Sequence, residues 1–553
     1  MKAKIYVLFI VLSINTSYAS TKIGNIYYNL NATTKTAEVA PDGNKYSGSI
    51  TIPSTVEYNN QTYSVISIGN QAFYTCTNLT SITIPSSINN IGWYAFCGCE
   101  NLNVIQIPNG VTTIGHNAFC MCHSLTQVTI PQSVTDLGMG VFYWCKNLKS
   151  ISVDVNNPNY RSIDGVLFDK EMTTLLEYPC GKQGAYSVPN GVVSMKRFDY
   201  CSKLTEISIP HSVVNLEEAP FGHCASLTNI NVDADNNNFC SINGVLCSKD
   251  KSVLIQYPCG NQGEYSIPSC IVTIGRGAFA DCEGLTYVII SNNVIYIGAE
   301  AFSKCSNLKE INIPNSVSTI GGKSFYFCTE LESVIIGDGV TTIQGAAFAG
   351  CESLTSINIG RSVASIGGGV FEGCSQLTEI NVDTSNALFC SIDGVMFSKD
   401  KQELIIYPNG RQGAYSIPAG VTTIKNSAFA SCISITSIRI PEDVNQIEYY
   451  AFAVCTRLNH VVCEANTPPQ MGLGVFIGVN CTQIPLYVPE ESIGLYSSAD
   501  QWKDFYQIRP LHEAPDALDI TEVVPINHKY IYDGQIFILR GDKTYTLTGQ
   551  EIK

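Results

Sequence analysis

The stretch from Leu79 to Cys99, LTSITIPSSINNIGWYAFCGC, sets the plan of this 553-residue chain. The same pattern returns 23 residues later, between Leu102 and Cys122, as LNVIQIPNGVTTIGHNAFCMC. Self-similarity at a fixed period of this length is typical of a solenoid, in which stacked repeats bury a continuous core. The sequence therefore predicts a β-rich α/β solenoid of 23-residue units, each of which we call a rung.

The register of the repeat can be followed along most of the chain. The leading apolar residue of each rung is found at Leu79, Leu102, Leu125, Leu148, Leu204, Leu227, Leu285, Leu308, Leu331, Leu354, Leu377, Ile435 and Leu458. A cysteine stands three residues ahead of each, at Cys76, Cys99, Cys122, Cys145, Cys201, Cys224, Cys282, Cys305, Cys328, Cys351, Cys374, Cys432 and Cys455. Three inserts interrupt the series.

Each rung has a simple physical interpretation. The alternating residues Ile82 and Ile84 point to one face of a short strand, and Pro85 ends that strand because it has no N–H donor. Phe96 and Cys99 are three residues apart and share one face of a single helical turn. A rung is thus a flattened coil whose apolar edge only another rung can bury, at very roughly 1.5–3 kcal/mol per large side chain.

The composition of the chain argues against nucleic-acid binding. Charged residues make up only 14% of the chain, apolar residues 45%, and the formal net charge is -15. Nucleic-acid binding requires basic patches, and the sequence has none. We therefore expect no nucleic-acid partner.

The first 19 residues have the pattern of a signal peptide. Lys2 and Lys4 precede an apolar run from Ile5 to Ile14, and Ser17-Tyr18-Ala19 supplies small residues for cleavage. The run is shorter than the roughly 20 residues that span a bilayer. We expect an exported protein, at the cell surface or extracellular, in which residues 20–78 form an N-terminal cap with the first rung and residues 79–462 form the solenoid.

The three inserts, at about 154–189, 233–268 and 383–418, are copies of one another. They share the runs SIDGVLF from Ser162, SINGVLC from Ser241 and SIDGVMF from Ser391. A charged linker separates this run from a second apolar run, which predicts a hairpin-like antiparallel pair. Insertions in solenoids often carry binding; the alternative is that they only thicken the solenoid wall.

The chain beyond the array divides into three parts. Residues 463–510 are expected to form a C-terminal cap with a short amphipathic helix from Ser498 to Phe505, and residues 511–528 a linker. Residues 529–553 then predict a small β-hairpin, one strand running from Tyr530 to Ile538 and the turn from Arg540 to Lys543.

The rung pattern C-x-x-L-x-x-I-x-I-P, followed by V/I-x-x-I-G-x-x-A-F-x-x-C, closely resembles the BspA-like (TpLRR) class of bacterial leucine-rich repeat proteins. The resemblance covers about Ile50 to Leu458. It implies an exported, surface-exposed protein of a host-associated microbe and, by analogy with several members, an adhesin. The last residues, from Tyr530 to Lys553, are similar to short C-terminal segments of exported Bacteroidetes proteins, some of which are tied to surface sorting.

The 23 cysteines of an exported chain raise the question of disulfides. We call the thirteen cysteines that precede the leading apolar residues the ladder cysteines. They should point inward as a column of buried thiols, since side chains that point in parallel directions suit a disulfide poorly. Cys463 and Cys481 are the candidate pair for a cap disulfide. A four-sulfur zinc site formed by the Cys97-x-Cys99 and Cys120-x-Cys122 pairs is disfavoured because alternate neighbours diverge.

Nothing in the sequence indicates catalysis. No nucleophile set and no phosphate-cradling glycine loop is recognisable, so we expect no enzymatic activity and no cofactor. Acidic residues enter each insert at Asp154, Asp233 and Asp383. Calcium binding is one interpretation, and turn formation by Asx side chains is the other.

A binding face can be drawn from residues that alternate with the inward positions of the strands. Its members are Ser81, Thr83, Gln127, Thr129, Glu206, Asn229, Asn231, Tyr287, Glu310, Asn312, Asn358, Glu379, Asn381 and Arg439. This face is polar, weakly acidic and poor in the aromatic and arginine anchors typical of hot spots. Stacked polar side chains that only satisfy one another are the alternative.

Three functional hypotheses follow. The first is a non-enzymatic surface protein that binds extracellular proteins or other cells. The second is a carbohydrate-binding accessory protein, for which the aromatic residues of the inserts (Tyr160, Phe239, Phe389, Tyr178, Tyr257 and Tyr407) would form the platform. The third is a structural envelope protein without a ligand.

Overall fold

The computed structural model describes residues 20–515 except Asn44, together with the backbone of four strands beyond residue 526. The expected signal peptide and most of the expected linker lie outside the described residues. The chain is a β-solenoid of about 19 turns. By their internal contacts the described residues divide into a first unit, within residues 20–261 and 278–282, and a second unit, within residues 262–277 and from 283 onward.

One strand of each rung, here called the long strand, carries the Ile-x-Ile pattern. In the first unit the long strands are Gly48–Thr51, Leu79–Thr83, Val104–Ile105, Gln127–Ile130, Ser150–Val153, Gly184–Ser187, Leu204–Ile209 and Asn229–Val232. In the second unit they are Gly263–Ser266, Leu285–Ile289, Glu310–Ile313, Ser333–Ile336, Ser356–Ile359, Glu379–Val382, Gly413–Ser416, Ile435–Ile440, His460–Cys463, Pro485–Val488 and Gln507–Pro510. Hydrogen-bonded neighbours are parallel, as in the pairing of Val128 with Ile151.

A short strand on the opposite side of the rung precedes the turn that contains phenylalanine. In the first unit these strands are Asn90–Ile91, Thr113–Ile114, Asp136–Leu137, Ser194–Met195 and Asn215–Leu216. In the second unit they are Thr273–Ile274, Tyr296–Ile297, Thr319–Ile320, Thr342–Ile343, Ser365–Ile366, Thr423–Ile424, Gln446–Ile447 and Gln470–Met471.

Stacked phenylalanines and ladder cysteines fill the core. Phe96 is fully buried, and its ring centre lies 4.9 Å from that of Phe73 and 5.2 Å from that of Phe119, with its plane nearly parallel to both. The chain around Phe96 and Cys99 is a hydrogen-bonded turn (Cys99 N–H to Phe96 O, 3.1 Å). The predicted helical turn of each rung is thus a hydrogen-bonded turn, the helix content is small, and the fold is a β-solenoid.

The ladder thiols have a specific structural role. All thirteen are buried thiols outside any disulfide, which confirms the predicted thiol ladder. Cys99 Sγ donates to the carbonyl oxygen of Phe73, in the preceding rung, at 3.1 Å, and the same bond at 3.1–3.2 Å recurs at Cys122, Cys145, Cys224, Cys328, Cys351, Cys374 and Cys455. Burial raises the pKa of the Cys328 thiol to about 12, so it stays protonated and chemically inert.

The inserts contain one more strand than predicted. Their strands are Tyr160–Ile163, Val166–Asp169 and Thr174–Glu177; Phe239–Ile242, Val245–Ser248 and Val253–Gln256; and Phe389–Ile392, Val395–Ser398 and Glu403–Ile406. The antiparallel pair of the last two strands is confirmed. The first predicted run is itself a hairpin, because Asp164 and Gly165 both have positive φ (49° and 77°), as a two-residue type I′ turn requires.

Each insert also supplies an aromatic ring to the core. Tyr178 stacks on Phe198 at 4.9 Å, Tyr257 on Phe279 at 5.0 Å and Tyr407 on Phe429 at 4.8 Å. The tyrosine of each Tyr-Pro pair therefore takes the place of the repeat phenylalanine. In the first and third inserts the last strand also pairs in parallel with the next short strand, Thr174 with Ser194 and Glu403 with Thr423.

The two ends of the array differ from its interior. The N-terminal strands are Thr21–Ile23, Ile26–Asn31, Thr36–Ala40, Thr55–Tyr58 and Gln61–Ile68. The C-terminal cap has 3-10 turns at Cys481–Gln483, Glu490–Ser492, Trp502–Asp504 and Leu511–Glu513 and one short α-helix, Ile493–Tyr496. The predicted helix from Ser498 to Phe505 is therefore wrong: the α-helix lies earlier, and Trp502 and Phe505 bury their rings from a 3-10 turn and the residue after it.

The tail is a four-stranded antiparallel sheet in place of the predicted hairpin. Its strands are Asn527–Tyr532, Gln535–Arg540, Lys543–Thr546 and Glu551–Ile552. Arg540 pairs with Lys543 in antiparallel strands, so the chain reverses its direction where the turn was predicted. The single strand predicted from Tyr530 to Ile538 is wrong because Tyr532 pairs with Gln535, and the two residues between them are Asp-Gly, a strong hairpin signal.

Candidate binding surfaces

The predicted binding positions lie on the outward face of the long strands. Exposed are Thr83, Gln127, Thr129, Glu310, Asn312, Asn358, Glu379 and Asn381, and half-buried are Ser81, Glu206, Asn229, Asn231, Tyr287 and Arg439. Strand register brings Glu206 beside Asn229 and Asn358 beside Asn381. The rows that the sequence predicts are therefore present within each unit.

Part of this face satisfies its own hydrogen bonds. Asn231 Nδ2 donates to Glu206 Oε1, and Asn229 Nδ2 donates to Asn231 Oδ1 at 3.1 Å. Arg439 Nη1 pairs with Glu464 Oε1 at 2.6 Å. Ser81 and Ser49 hydroxyls lie 2.8 Å apart. These contacts stabilise neighbouring rungs and reduce what such positions can offer a partner.

The inserts divide the strand face into segments. The carbonyl of Gly165 accepts the N–H of Ile151 at 2.8 Å, and Gly394 accepts that of Ile380 at 2.9 Å. The hairpin turn of each of these inserts therefore uses a strand N–H that would otherwise pair with a further long strand. The second insert does the same through Gly244 and Ile230 at 2.9 Å.

The insert aromatics do not form an exposed platform. Tyr178, Tyr257 and Tyr407 are 2–3% exposed and lie in the core. Tyr160, Phe239 and Phe389 are half-buried, and Tyr160 Oη accepts the N–H of Leu137 at 3.0 Å. The alternative in which the insert rings stack on a glycan therefore loses support, since the rings that follow the insert strands complete the phenylalanine stack.

The acidic residues that enter the inserts act as turn formers. Asp154 Oδ1 accepts the N–H of Asn156 at 2.9 Å, and Asp383 Oδ1 accepts that of Ser385 at 2.8 Å. Asp233 makes the equivalent bond at 3.0 Å. Among the described residues there is no group of three His, Cys, Asp or Glu side chains placed to hold a metal ion.

The cysteines outside the ladder differ from the expectation. Cys463 and Cys481 are buried free thiols, so the predicted cap disulfide is wrong in this structure; Cys463 Sγ instead contacts the Tyr496 hydroxyl at 3.2 Å. A disulfide joins Cys97 to Cys120, while their neighbours Cys99 and Cys122 are free. Neighbouring rungs thus do allow a bridge at this position, outside the ladder.

A second surface, missed at the level of the sequence, lies where each short strand turns toward its phenylalanine. In the first unit the first turn position is Gly92, Gly115 or Gly138, where a Cβ would come within 2.6, 2.5 or 2.3 Å of atoms of the preceding rung. The next position points outward. We call the residues there, Asn70, Trp93, His116 and Met139, the turn-edge column.

The turn-edge column combines apolar and polar groups. Trp93 is 54% exposed and Met139 is 70% exposed. Asn70 Oδ1 accepts the N–H of Trp93, and His116 Nδ1 accepts the N–H of Met139, both at 2.8 Å. Reading the residue after each turn glycine at the 23-residue spacing would have found this column from the sequence.

The second unit carries an acidic groove at its C-terminal end. The groove, about 580 Å³ in volume, is lined by Glu442, Asp443, Glu464, Glu490 and Glu491 among others. Its charge disfavours anionic ligands. Among the described residues no helix is long and apolar enough to cross a membrane.

Comparison with protein families gives one match. The family described as "BspA type Leucine rich repeat region" matches in six copies, over residues 66–185, 177–272, 250–378 and 413–498. These ranges cover more than half of the chain. No curated protein matches the sequence.

Several solved structures match the chain over most of its length. A leucine rich cell surface protein from Faecalibacterium prausnitzii is 20% identical over 89% of this chain and 95% of its own, with a TM-score of 0.33. The pneumococcal vaccine antigen PcpA is 20% identical over 89% and 98%, with a TM-score of 0.36. A leucine-rich repeat protein from Bacteroides ovatus is 24% identical over 89% and 99%, with a TM-score of 0.26.

Proposed function

Since this chain belongs to the BspA-type leucine-rich repeat family, we propose that it is an exported, non-enzymatic protein of the cell surface that binds proteins of the extracellular matrix or of neighbouring cells. The sequence pattern of residues 1–19 supports export. The naming of one structural relative as a cell surface protein agrees with this location.

The outward face of the long strands is the observation that carries the proposal. In the second unit Glu310, Asn312, Asn358, Glu379 and Asn381 are all exposed, and they project from strands whose alternate residues are fixed in the core. A repeat scaffold with rigid, regularly spaced polar groups is suited to a large protein partner. Affinity would come from many modest contacts.

Binding of the whole chain to immobilised fibronectin, laminin and fibrinogen tests the proposal. We expect saturable binding to at least one of them, and the double substitution Glu310→Ala/Asn312→Ala should weaken it by about tenfold, the equivalent of 1.4 kcal/mol. Thr112→Ala/Thr135→Ala, two exposed positions away from the long strands, is the matched control. Absence of binding to all three proteins would count against a matrix-protein partner.

A second set of variants separates the strand face from the inserts. Replacing Asp164 and Asp393 by Asn gives the first and third insert turns the Asn-Gly sequence that the second already has at Asn243-Gly244. This change keeps the turn type while removing the aspartates at the first and third tips. Binding that survives this change but is lost in Glu310→Ala/Asn312→Ala would place the contact on the strands. The reverse result would place it on the inserts.

A further inference from the structure

The turn-edge column of the first unit has an exposed aromatic ring between two oriented polar groups. Trp93 is 54% exposed. Its Cδ1 packs directly on Gly115 of the next rung, since a Cβ on that glycine would lie only 2.5 Å from it. The His116 ring is 5.6 Å from the Trp93 ring at an interplanar angle of 70°. The indole is therefore supported from below by the next rung and open to solvent.

The polar groups on both sides are fixed by backbone hydrogen bonds. Asn70 uses its Oδ1 to accept the N–H of Trp93, which directs its Nδ2 group away from that bond. His116 uses Nδ1 to accept the N–H of Met139, so the proton of the neutral ring is on Nε2. Two N–H donors are thus held one rung before and one rung after the indole.

The spacing suits a sugar ring. Neighbouring strands are about 4.8 Å apart, so Asn70 and His116, two rungs apart, are separated by roughly 10 Å along the stack. A pyranose ring that makes one hydrogen bond at each side spans about this distance between the two donors. Its C–H face packs on an aromatic ring, and its hydroxyl groups accept hydrogen bonds from N–H donors.

We propose that Trp93, Asn70 and His116 form a binding site for a neutral pyranose residue of a glycan. This site goes beyond the proposed contact with proteins, since it lies on the turn edge and shares no residue with the strand face. A protein hot spot would be expected to have a ring of occluding neighbours around its anchor. Here the neighbours of Trp93 along the column are instead two planar donors.

The second unit provides a control residue. Tyr449 is also 54% exposed and follows Glu448 at the equivalent turn position. Its neighbour in the next rung is Leu473, which is 68% exposed and has no donor. Tyr449→Ala therefore removes an aromatic ring that is exposed to the same fraction, without a donor on that side.

Two probes test the site with the whole chain: immobilised gastric mucin for host glycans and a purified bacterial capsular polysaccharide for microbial ones. We expect saturable binding to at least one of the two probes, and the probe that binds shows whether the glycan comes from the host or from a microbe. Trp93→Ala should weaken it about tenfold or more, whereas Tyr449→Ala should leave it unchanged. Periodate oxidation, which cleaves sugar diols and spares the polypeptide, should abolish binding to mucin.

The conservative variant Asn70→Asp tests the donor directly. It keeps an oxygen that accepts the Trp93 N–H and removes the Nδ2 donor, so it should weaken binding roughly three- to tenfold with unchanged thermal unfolding. His116→Phe should act in the same direction. Saturation should also shift the fluorescence of the wild type and not of Trp93→Phe, since the other tryptophans, Trp144 and Trp502, are half-buried and buried.

Three results would overturn the inference: no binding to either probe, equal losses in Trp93→Ala and Tyr449→Ala, or mucin binding that survives periodate. The last would assign the surface to a protein partner. Matrix-protein binding that depends on Glu310 and Asn312 would be untouched by any of these results, so the two proposals can fail separately.

Discussion

The turn edges of the two units show how one repeat core supports different surfaces. In the first unit the outward turn position is occupied by Trp93, His116 and Met139, whereas in the second unit the same position is Gly322, Gly345 and Gly368 in successive rungs. Beneath them the cores are alike: Phe96 and Phe119 stack at 5.2 Å, and Phe325 and Phe348 at 5.1 Å. Side chains at the outward position are therefore not required by the fold.

This contrast assigns two roles to adjacent residues of the turn. A Cβ on Gly367 would lie 2.3 Å from the backbone nitrogen of Gly345, whereas the nearest atom to a Cβ on Gly368 is 3.6 Å away, on the Asn426 side chain. Gly367 is therefore constrained by the rung before it, and Gly368 is free. The fold does not require a side chain at the outward position, so the tryptophan at Trp93 is a candidate for a functional residue.

The largest expected effect is the loss of a stacked phenylalanine, which tests whether the cores are equivalent. Phe119→Ala and Phe348→Ala each remove a fully buried ring and should destabilise their units by about 3–5 kcal/mol. Chemical denaturation monitored by hydrogen–deuterium exchange measures each unit separately. The exposed substitution Asn358→Ala should change stability by no more than about 0.5 kcal/mol, and a Phe348→Ala effect of that size would contradict the stacking.

The two units should respond to pH in opposite directions. In the first unit Asp199 is 4% exposed, and burial raises its pKa to about 6. Between pH 4 and pH 6 the unfolded carboxyl ionises while the folded one stays protonated, so stability should fall as pH rises, by about 3 kcal/mol at most. Asp199→Asn should reduce this dependence, and the part that remains should come from Glu177, whose pKa burial raises to about 8.

In the second unit His460 has the opposite effect. Burial, with the nearby Arg439 charge, lowers the pKa of His460 to about 4. Between pH 6.5 and pH 4 the unfolded imidazole takes up a proton and the folded one does not, so stability should fall as pH falls, again by about 3 kcal/mol at most. Exchange rates of peptides from each unit, with His460→Gln as the control, measure the difference; equal slopes in both units would contradict it.

A smaller effect should separate the two turn positions. Gly367→Ala should destabilise the second unit by about 1–3 kcal/mol because backbone atoms must move. Gly368→Ala has room and should be neutral or stabilise by up to about 1 kcal/mol through the unfolded state. Thermal unfolding of the two variants distinguishes them, and equal destabilisation would show that both positions are constrained.

The smallest effect on stability should come from the aromatic residues themselves. Trp93→Ala and Tyr449→Ala remove side chains that are each 54% exposed, so stability should change by about 0.5 kcal/mol or less. The measurement is the midpoint of urea unfolding. A large loss in Trp93→Ala would mean that the indole is retained for packing, which would weaken its interpretation as a binding residue.

Local contacts decided three features that the sequence did not reveal: the insert hairpin, the place of Tyr178 and the position of the cap helix. The Asp164-Gly165 turn splits one predicted strand into a hairpin, and Tyr178, a candidate surface ring by its sequence, lies in the phenylalanine stack. The dipeptide signal was visible in the sequence, but the place of the tyrosine depends on which rung it stacks against. The cap helix was misplaced because Trp502 and Phe505 are held by contacts with Phe476.

The repeat period, the strand face and the inward thiol ladder were determined by the sequence alone, because burial imposes the same residue type at the same position of every rung. The tertiary structure decided what those patterns leave open. It made the Cys97–Cys120 bridge, kept Cys463 and Cys481 as free thiols, and put the insert tyrosines inside. It also oriented Asn70 and His116 beside Trp93, since that arrangement requires residues 23 apart to lie on adjacent rungs.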